Sequence, residues 1–255
     1  MLLAIDIGNT NVTIGVFDGL DLVATARVAT EPGRMSDEYG LTLTQLLPAK
    51  GVPIERVDEV AMCSVVPPLT PTFVQICKDF FPGVQPLVVG AGVKTGVRVL
   101  YDNPRDVGSD RIADAAATFR LYGGPAVVVD FGTATVLDAI SAEGDYIGGA
   151  IAPGLTVAAD SLFHSTSQLR RVELARPDSA IGKNTIQALQ SGLVLGYADL
   201  VRGMVDRFDR ELGGSATVVA TGGLAGLMQE ETGLFDVVDP DLTLTGLRII
   251  HELNQ

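Results

Sequence analysis

The sequence predicts an α/β fold made by repeating one unit, and three observations carry that reading. Strand-like and helix-like segments alternate along the chain. The order apolar, apolar, Asp, apolar, Gly, polar occurs twice, in Ala4-Ile5-Asp6-Ile7-Gly8-Asn9 and in Val128-Val129-Asp130-Phe131-Gly132-Thr133. Each of these turns opens a hairpin and is followed by further strands and helices. One strand–Asp–x–Gly turn is commonplace, but two that open alike are more simply explained by duplication.

In chain order, Leu2–Ile5 is a short apolar strand running into the turn Asp6-Ile7-Gly8-Asn9-Thr10. Val12–Phe17 returns as a second, β-branched strand and stops at Asp18-Gly19, which makes the pair a hairpin. Helical periodicity then marks Ser36–Leu47, Pro68–Phe80 and Ser109–Leu121, with strands at Val57–Ser64 and Val84–Val89 between them. Tyr122-Gly123-Gly124-Pro125 is the strongest break in mid-chain, so the predicted domains are 1–122 and 123–255. The second repeat brings strands Ala126–Val129 and Thr135–Leu137, a turn at Glu143-Gly144-Asp145, and a long helix over Thr185–Leu212. Ala216–Ala220 is a strand entering Thr221-Gly222-Gly223, and Leu244–Leu253 is a terminal helix able to pack back on the first domain.

With 255 residues, 47% of them apolar, the chain can bury two modest cores. Its net charge of −13 argues against a nucleic-acid partner, which needs a basic footprint. No apolar run approaches the ~20 residues of a membrane span. Asp6 interrupts the apolar start and no basic flank precedes it, so a signal peptide is not expected and the protein reads as cytoplasmic. Cys63 and Cys77 stand in apolar surroundings and read as buried thiols. His164 and His251 are isolated, so neighbouring sequence assembles no zinc cluster and no histidine triad.

The chemistry sits in the turns. In Asp6-Ile7-Gly8-Asn9-Thr10, glycine lets the backbone come close, while exposed amides with Asn and Thr side chains can donate to phosphate oxygens. Asp6 can hold a magnesium ion that screens a triphosphate. A self-satisfying Asx turn is the better account of one such segment alone, but the pairing with Asp130-Phe131-Gly132-Thr133 favours a two-sided phosphate clamp. Neither of two common nucleotide-binding motifs occurs. Gly182-Lys183-Asn184 has Pro177 where a P-loop needs its first glycine, and no G-x-G-x-x-G follows a strand. Thr221-Gly222-Gly223 suits either adenine and ribose or a plain tight connection. Gly108-Ser109-Asp110-Arg111 opens a helix, where a carboxylate and a cation could serve a phosphorylatable substrate. Ser109 as N-cap with Asp110 on the helix dipole is the other reading, and spacing alone does not separate them.

Together these segments resemble the type III pantothenate kinases of the actin-like, acetate-and-sugar-kinase superfamily, whose fold is a pair of ribonuclease H-like domains with mixed sheets flanked by helices. The resemblance runs through nearly the whole chain. It rests on Asp6 to Thr10, Tyr101 to Arg111, Asp130 to Thr135, Gly148 to Gly154, Ile181 to Thr185 and Thr221-Gly222-Gly223. It implies phosphorylation of pantothenate by ATP with Mg2+, the first step of coenzyme A biosynthesis. ATP would be bound by Asp6, Ile7, Gly8, Asn9, Thr10, Asn11, Val12 and Thr13, with Gly132, Thr133, Gly222 and Gly223. Asp110 would be the general base, and Tyr101, Gly108, Ser109, Arg111 and Thr185 would bind pantothenate. Asp130 would hold a monovalent cation, K+ or NH4+. The resemblance further implies a homodimer, with Thr185 reaching in from a second subunit. Gly192–Val201 would suit its interface, or equally an ordinary core.

Two positions depart from the family's pattern: Arg170 follows Leu169 where proline is common, and Val136 follows Thr135 where a second threonine is usual. Another small-molecule kinase on this fold, an ATP-binding regulator and a filament-forming ATPase are the rival readings. The short chain weighs against larger kinases and filaments, and an intact Asp110 weighs against a regulator.

Overall fold

Side chains alternate across a strand, and in the first strand of the protein that alternation feeds two separate cores. The computed structural model describes residues 1–166 and 169–255. They form two compact units: Met1–Val97 with Asp102–Ala117 and Leu242–Gln255, and Arg98–Tyr101 with Thr118–Asp241.

The first unit holds β1 (Leu2–Ile7), β2 (Asn11–Asp18), β3 (Asp21–Ala29), α1 (Ser36–Ala49), β4 (Glu59–Ser64), α2 (Leu69–Phe80) and β5 (Leu87–Val88). Its sheet runs β3-β2-β1-β4-β5, antiparallel through the first three strands and parallel across β1, β4 and β5. Leu3, Ile5 and Ile7 point into a core with Tyr39, Leu43 and Leu47 of α1 and Phe73 and Ile76 of α2. Leu2 and Ala4 point the other way, onto Ala113 and Ala116 of α3 (Ser109–Tyr122) and Leu244, Leu247 and Ile250 of α8 (Leu242–Glu252). A sheet covered on both faces explains why β1 reads as continuously apolar rather than alternating. The α3–α8 contact is close: a Cβ on Gly246 would lie 2.0 Å from the Ala113 carbonyl oxygen.

The second unit holds β6 (Ala126–Phe131), β7 (Ala134–Ile140), β8 (Tyr146–Pro153), α4 (Leu155–Ser165), α5 (Thr185–Gln190), α6 (Gly196–Glu211), β9 (Thr217–Thr221), α7 (Ala225–Thr232) and β10 (Val237–Val238). Its sheet runs β8-β7-β6-β9-β10, with β6 antiparallel to β7, β7 to β8, and β6 parallel to β9. Strand for strand, this is the order and direction of the first sheet. The repeat seen in the turns is thus a repeat of whole topology.

The structure differs from the sequence reading at several elements. Each hairpin continues into a third strand, β3 and β8, neither of which was expected; both lie at a sheet edge with alternate residues exposed. The helix expected over Thr185–Leu212 is α5 and α6 joined by a wider π-type turn at Ser191–Leu195. Leu193, Val194 and Val201 from this stretch lie in the core of the second unit, so its apolar face is accounted for within one chain. The division between units falls inside α3, after Ala117, and not at Tyr122-Gly123; α8, read as able to pack back on the first domain, is grouped with the first unit.

Candidate active site

In the first unit the turn after β1 is closed by its own backbone, with Gly8 N–H donating to the Asn11 carbonyl at 3.0 Å. The Thr30 hydroxyl donates to the Gly8 carbonyl at 2.7 Å, and Thr30 N–H to the Thr10 carbonyl at 3.0 Å. The end of β3 thereby fixes the turn while Asn9, Thr10 and Asn11 stay exposed at its tip. Ile7 and Val12 are buried core residues, so of these two only the backbone is left to meet a ligand. Gly8 is set by space, since a Cβ there would stand 3.0 Å from the Asn11 carbonyl oxygen.

Asp6, the next-to-last residue of β1, is level with Cys63 in the parallel β1–β4 ladder. The Cys63 thiol donates to Asp6 Oδ1 at 3.3 Å. Burial, and secondarily the charge of Asp110, raise the Asp6 carboxyl to about 7, against the opposing pull of the Cys63 bond and Arg27. Burial also raises Asp110, opposed by the bond from Arg111 N–H to Asp110 Oδ1 (2.8 Å) and by the Arg111 charge. Cys63 is pushed well up by burial, then by Asp6, Asp110 and Asp114. Two crowded carboxylates repel each other, and a bound cation relieves that repulsion, so this pair fits a metal carried on phosphate. Among the described residues no group of three or more His, Cys, Asp or Glu could hold a metal alone.

Asp110 is placed by what surrounds it. Ser109 Oγ accepts from Ser64 N–H at 3.0 Å and donates to the Ser64 carbonyl at 3.2 Å, tying the start of α3 to the end of β4. A Cβ on Gly108 would fall 2.4 Å from Asp110 Oδ1, so the carboxylate occupies space that only glycine leaves open. Ser109 thus ties α3 to β4, and Asp110 is left beside Asp6.

In the second unit the repeat turn closes through Gly132 N–H to the Ala134 carbonyl at 3.0 Å. Asp130 stands level with Thr221 of β9, and its carboxylate lies between two glycines. A Cβ on Gly222, whose φ is +88°, would come 2.5 Å from Asp130 Oδ1; one on Gly132 would come 3.3 Å from Oδ2. Gly223 has open space around it. Gly154 N–H donates to the Thr133 carbonyl at 3.0 Å, and a Cβ on Gly154 would be 2.3 Å from that oxygen. Tyr101 is held at the edge of β8, and Thr185 is the exposed first residue of α5, capped by Asn184 Oδ1 accepting from Gln187 N–H at 3.0 Å.

The structure thus brings together Asp6 with Asp110, and Asp130 with Gly132 and Gly222. Tyr101 and Thr185 lie on other elements of the second unit. Sequence reasoning missed Cys63, Thr30 and Gly154 as members of these clusters. Thr30 directly follows a strand that was not foreseen, and the Cys63–Asp6 contact depends on a parallel register that local patterns do not encode.

The chain resembles known proteins along its length. A family model described as type III pantothenate kinase matches residues 2–207. A type III pantothenate kinase of Moorella thermoacetica is 51% identical over all of both chains, and one of Roseiflexus sp. is 52% identical over all of both. Solved structures show the fold at lower identity. An acetate kinase of Porphyromonas gingivalis aligns with a TM-score of 0.57 at 12% identity, covering 100% of this chain and 99% of that one. A Campylobacter jejuni chain described as a Baf family transcriptional activator aligns at 0.62 and 21% identity, covering 99% and 98%. The architecture is therefore a duplicated ribonuclease H-like fold, with mixed sheets flanked by helices. From its end-to-end identity with curated relatives and its match to the family model, this chain belongs to the type III pantothenate kinase family.

Proposed function

We propose that the protein transfers the γ-phosphoryl group of ATP to the primary hydroxyl of pantothenate, giving 4'-phosphopantothenate and ADP, the opening step of coenzyme A biosynthesis. A kinase of this fold uses ATP with a divalent metal, here assigned as magnesium. The observation that carries the assignment of roles is the Asp110 carboxylate, half-buried beside Asp6 and aimed by Gly108 and Arg111 N–H.

Asp110 accepts the proton of the attacking hydroxyl as that oxygen bonds to the γ-phosphorus and the bond to the β–γ bridging oxygen breaks. Burial suits it to this work, because a carboxyl raised toward neutral is a stronger base than an exposed one. Bound magnesium would neutralise charge on the phosphates, with Asp6 as its protein ligand. Asp6 to Thr13, Gly132 and Thr133 are assigned to the phosphates, and Gly222 and Gly223 to the rest of the nucleotide. Arg111, Tyr101, Gly108, Ser109 and Thr185 are assigned to pantothenate, and Asp130 to a monovalent cation, K+ or NH4+. Its seat between two glycines supports a small ligand there.

The homodimer belongs to the same proposal. It is supported by Ile181 and Ile186, 82% and 55% exposed on either side of Thr185. Cytoplasmic residence is part of it too; among the described residues, no helix is long and apolar enough to cross a membrane. The test is a coupled ATPase assay with pantothenate, pantetheine, simple sugars and acetate. Pantothenate alone should give turnover, and activity on acetate or a sugar instead would overturn the assignment.

A further inference from the structure

Tyr101 reaches its place through a buried network that none of the roles above uses. The short segment ending at Tyr101 adds to the open edge of β8 by a parallel bridge between Val99 and Tyr146. Tyr146 N–H donates to the Arg98 carbonyl, and the Tyr146 carbonyl accepts from Leu100 N–H, both at 2.8 Å. Arg98 also holds Asp145, the residue before Tyr146, with Nε to Oδ1 at 3.0 Å. One residue of β8 therefore takes both backbone bonds of the segment that carries Tyr101.

The side chain of Tyr146 continues the chain of contacts. A register shift between Ala139 and Ile140 sets Ile140 opposite Tyr146, so Asp138, two residues back on β7, shares its face of the sheet. Tyr146 is fully buried and Asp138 is 3% exposed. The Tyr146 hydroxyl donates to Asp138 Oδ1 at 2.8 Å. A buried carboxylate bonded to a buried phenol fixes the ring in one orientation. On that ring rests Tyr101, with centroids 6.3 Å apart and planes at 57°. The Tyr101 ring also passes over Gly148, where a Cβ would stand 3.6 Å from its Cε2.

We propose that Asp138 and Tyr146 are positioning residues that hold the Tyr101 ring ready for pantothenate, and that they set affinity for this substrate rather than the rate of phosphoryl transfer. The proposal rests on the assignment of Tyr101 to pantothenate. Its physical basis is preorganisation: a ring already fixed loses less freedom when substrate binds. Releasing one such side chain should weaken binding about tenfold.

The test uses the full-length protein labelled with 3-fluorotyrosine and read by fluorine NMR, with the Tyr101 signal among the five tyrosines assigned through Y101F. Y146F keeps the ring and removes the donor; D138L removes the acceptor; D138N keeps an acceptor oxygen. In Y146F and D138L the Tyr101 signal should shift or broaden. The pantothenate KM should rise about tenfold, with the ATP KM and kcat within about twofold of wild type. D138N should stay near wild type in both readouts. An unmoved Tyr101 signal with an unchanged pantothenate KM in Y146F would overturn the proposal, as would a parallel rise of both KM values with a lowered Tm. Should D138L fail to fold, Y146F alone decides. A wild-type Tyr101 signal that pantothenate does not move strikes instead at the assignment of Tyr101 to substrate, and the Y146F signal still decides the positioning.

Discussion

At the scale of single residues, burial holds the Asp6 and Asp110 carboxyls above their usual range, and the charge of Asp110 adds to the rise at Asp6. Asp110→Asn should lower kcat by about 10²- to 10⁴-fold while ATP affinity stays within about threefold, by steady-state kinetics and calorimetry. For Asp6 the folded value is raised, so the folded state holds a proton that the unfolded chain has released. Its stabilising contribution is complete below about 4 and is lost as pH rises through about 7. Metal-free Asp6→Asn should therefore be more stable than the parent at pH 8, by roughly 1–3 kcal/mol, and nearly equal to it at pH 4. Urea unfolding at the two pH values checks this; a variant equally destabilised at both would remove the carboxylate pair from the account. Metal affinity should run the opposite way, falling as pH drops below about 7, because the ligand must be ionised.

Glycines at this scale were legible as glycines but not as reasons. Gly108 and Gly222 stood out in the sequence as turn residues. Only the folded structure shows that each clears room for a particular carboxylate, Asp110 in one unit and Asp130 in the other. Gly222→Ala combines a positive φ with backbone atoms 2.7 Å from the new methyl group, and should lower stability by roughly 1–3 kcal/mol. A Tm within a degree of the parent would show that the turn relaxes freely.

At the scale of elements, the strands with two covered faces were read well and the half-exposed ones were not. β1 and β6 are dense apolar runs closed by Asp-x-Gly, which a local pattern can find. β3 mixes the half-buried Leu22, Ala24, Ala26 and Val28 with exposed Asp21, Val23, Thr25, Arg27 and Ala29, so no dense apolar run marks Asp21–Ala29. The π-type turn between α5 and α6 keeps helical composition throughout, which is why one long helix was expected. Packing of α8 on α3 is a tertiary fact with a single-residue handle. Gly246→Ala would set a methyl group against the Ala113 carbonyl and should cost roughly 1–3 kcal/mol in chemical denaturation, without changing the relative KM values for ATP and pantothenate. A substrate-specific kinetic effect would instead link α8 to the site.

At the scale of the whole molecule, the net charge of −13 and the doubled topology were both open to inspection in the sequence, and the exposure of the apolar side chains around Thr185 was not. Ile181 and Ile186 flank Thr185 in the chain and are both exposed. Sedimentation at micromolar concentration should give twice the chain mass. Replacing Ile181 and Ile186 with Asp should yield monomer with pantothenate turnover lowered at least tenfold, if a partner completes the substrate site. A fully active monomer would confine the site to one chain.

The equal order of the two sheets also gives the protein a built-in comparison. Asp6 and Asp130 occupy the same rung of the repeated sheet, but the neighbour across the parallel ladder is Cys63 in one copy and Thr221 in the other. Descent from one ancestral unit makes that rung a branching point, where a single neighbouring side chain separates the histories of two aspartates. Exchanging the neighbours, with Cys63→Thr in one sheet and Thr221→Cys in the other, would ask how much of the difference between the halves is inherited by that one position.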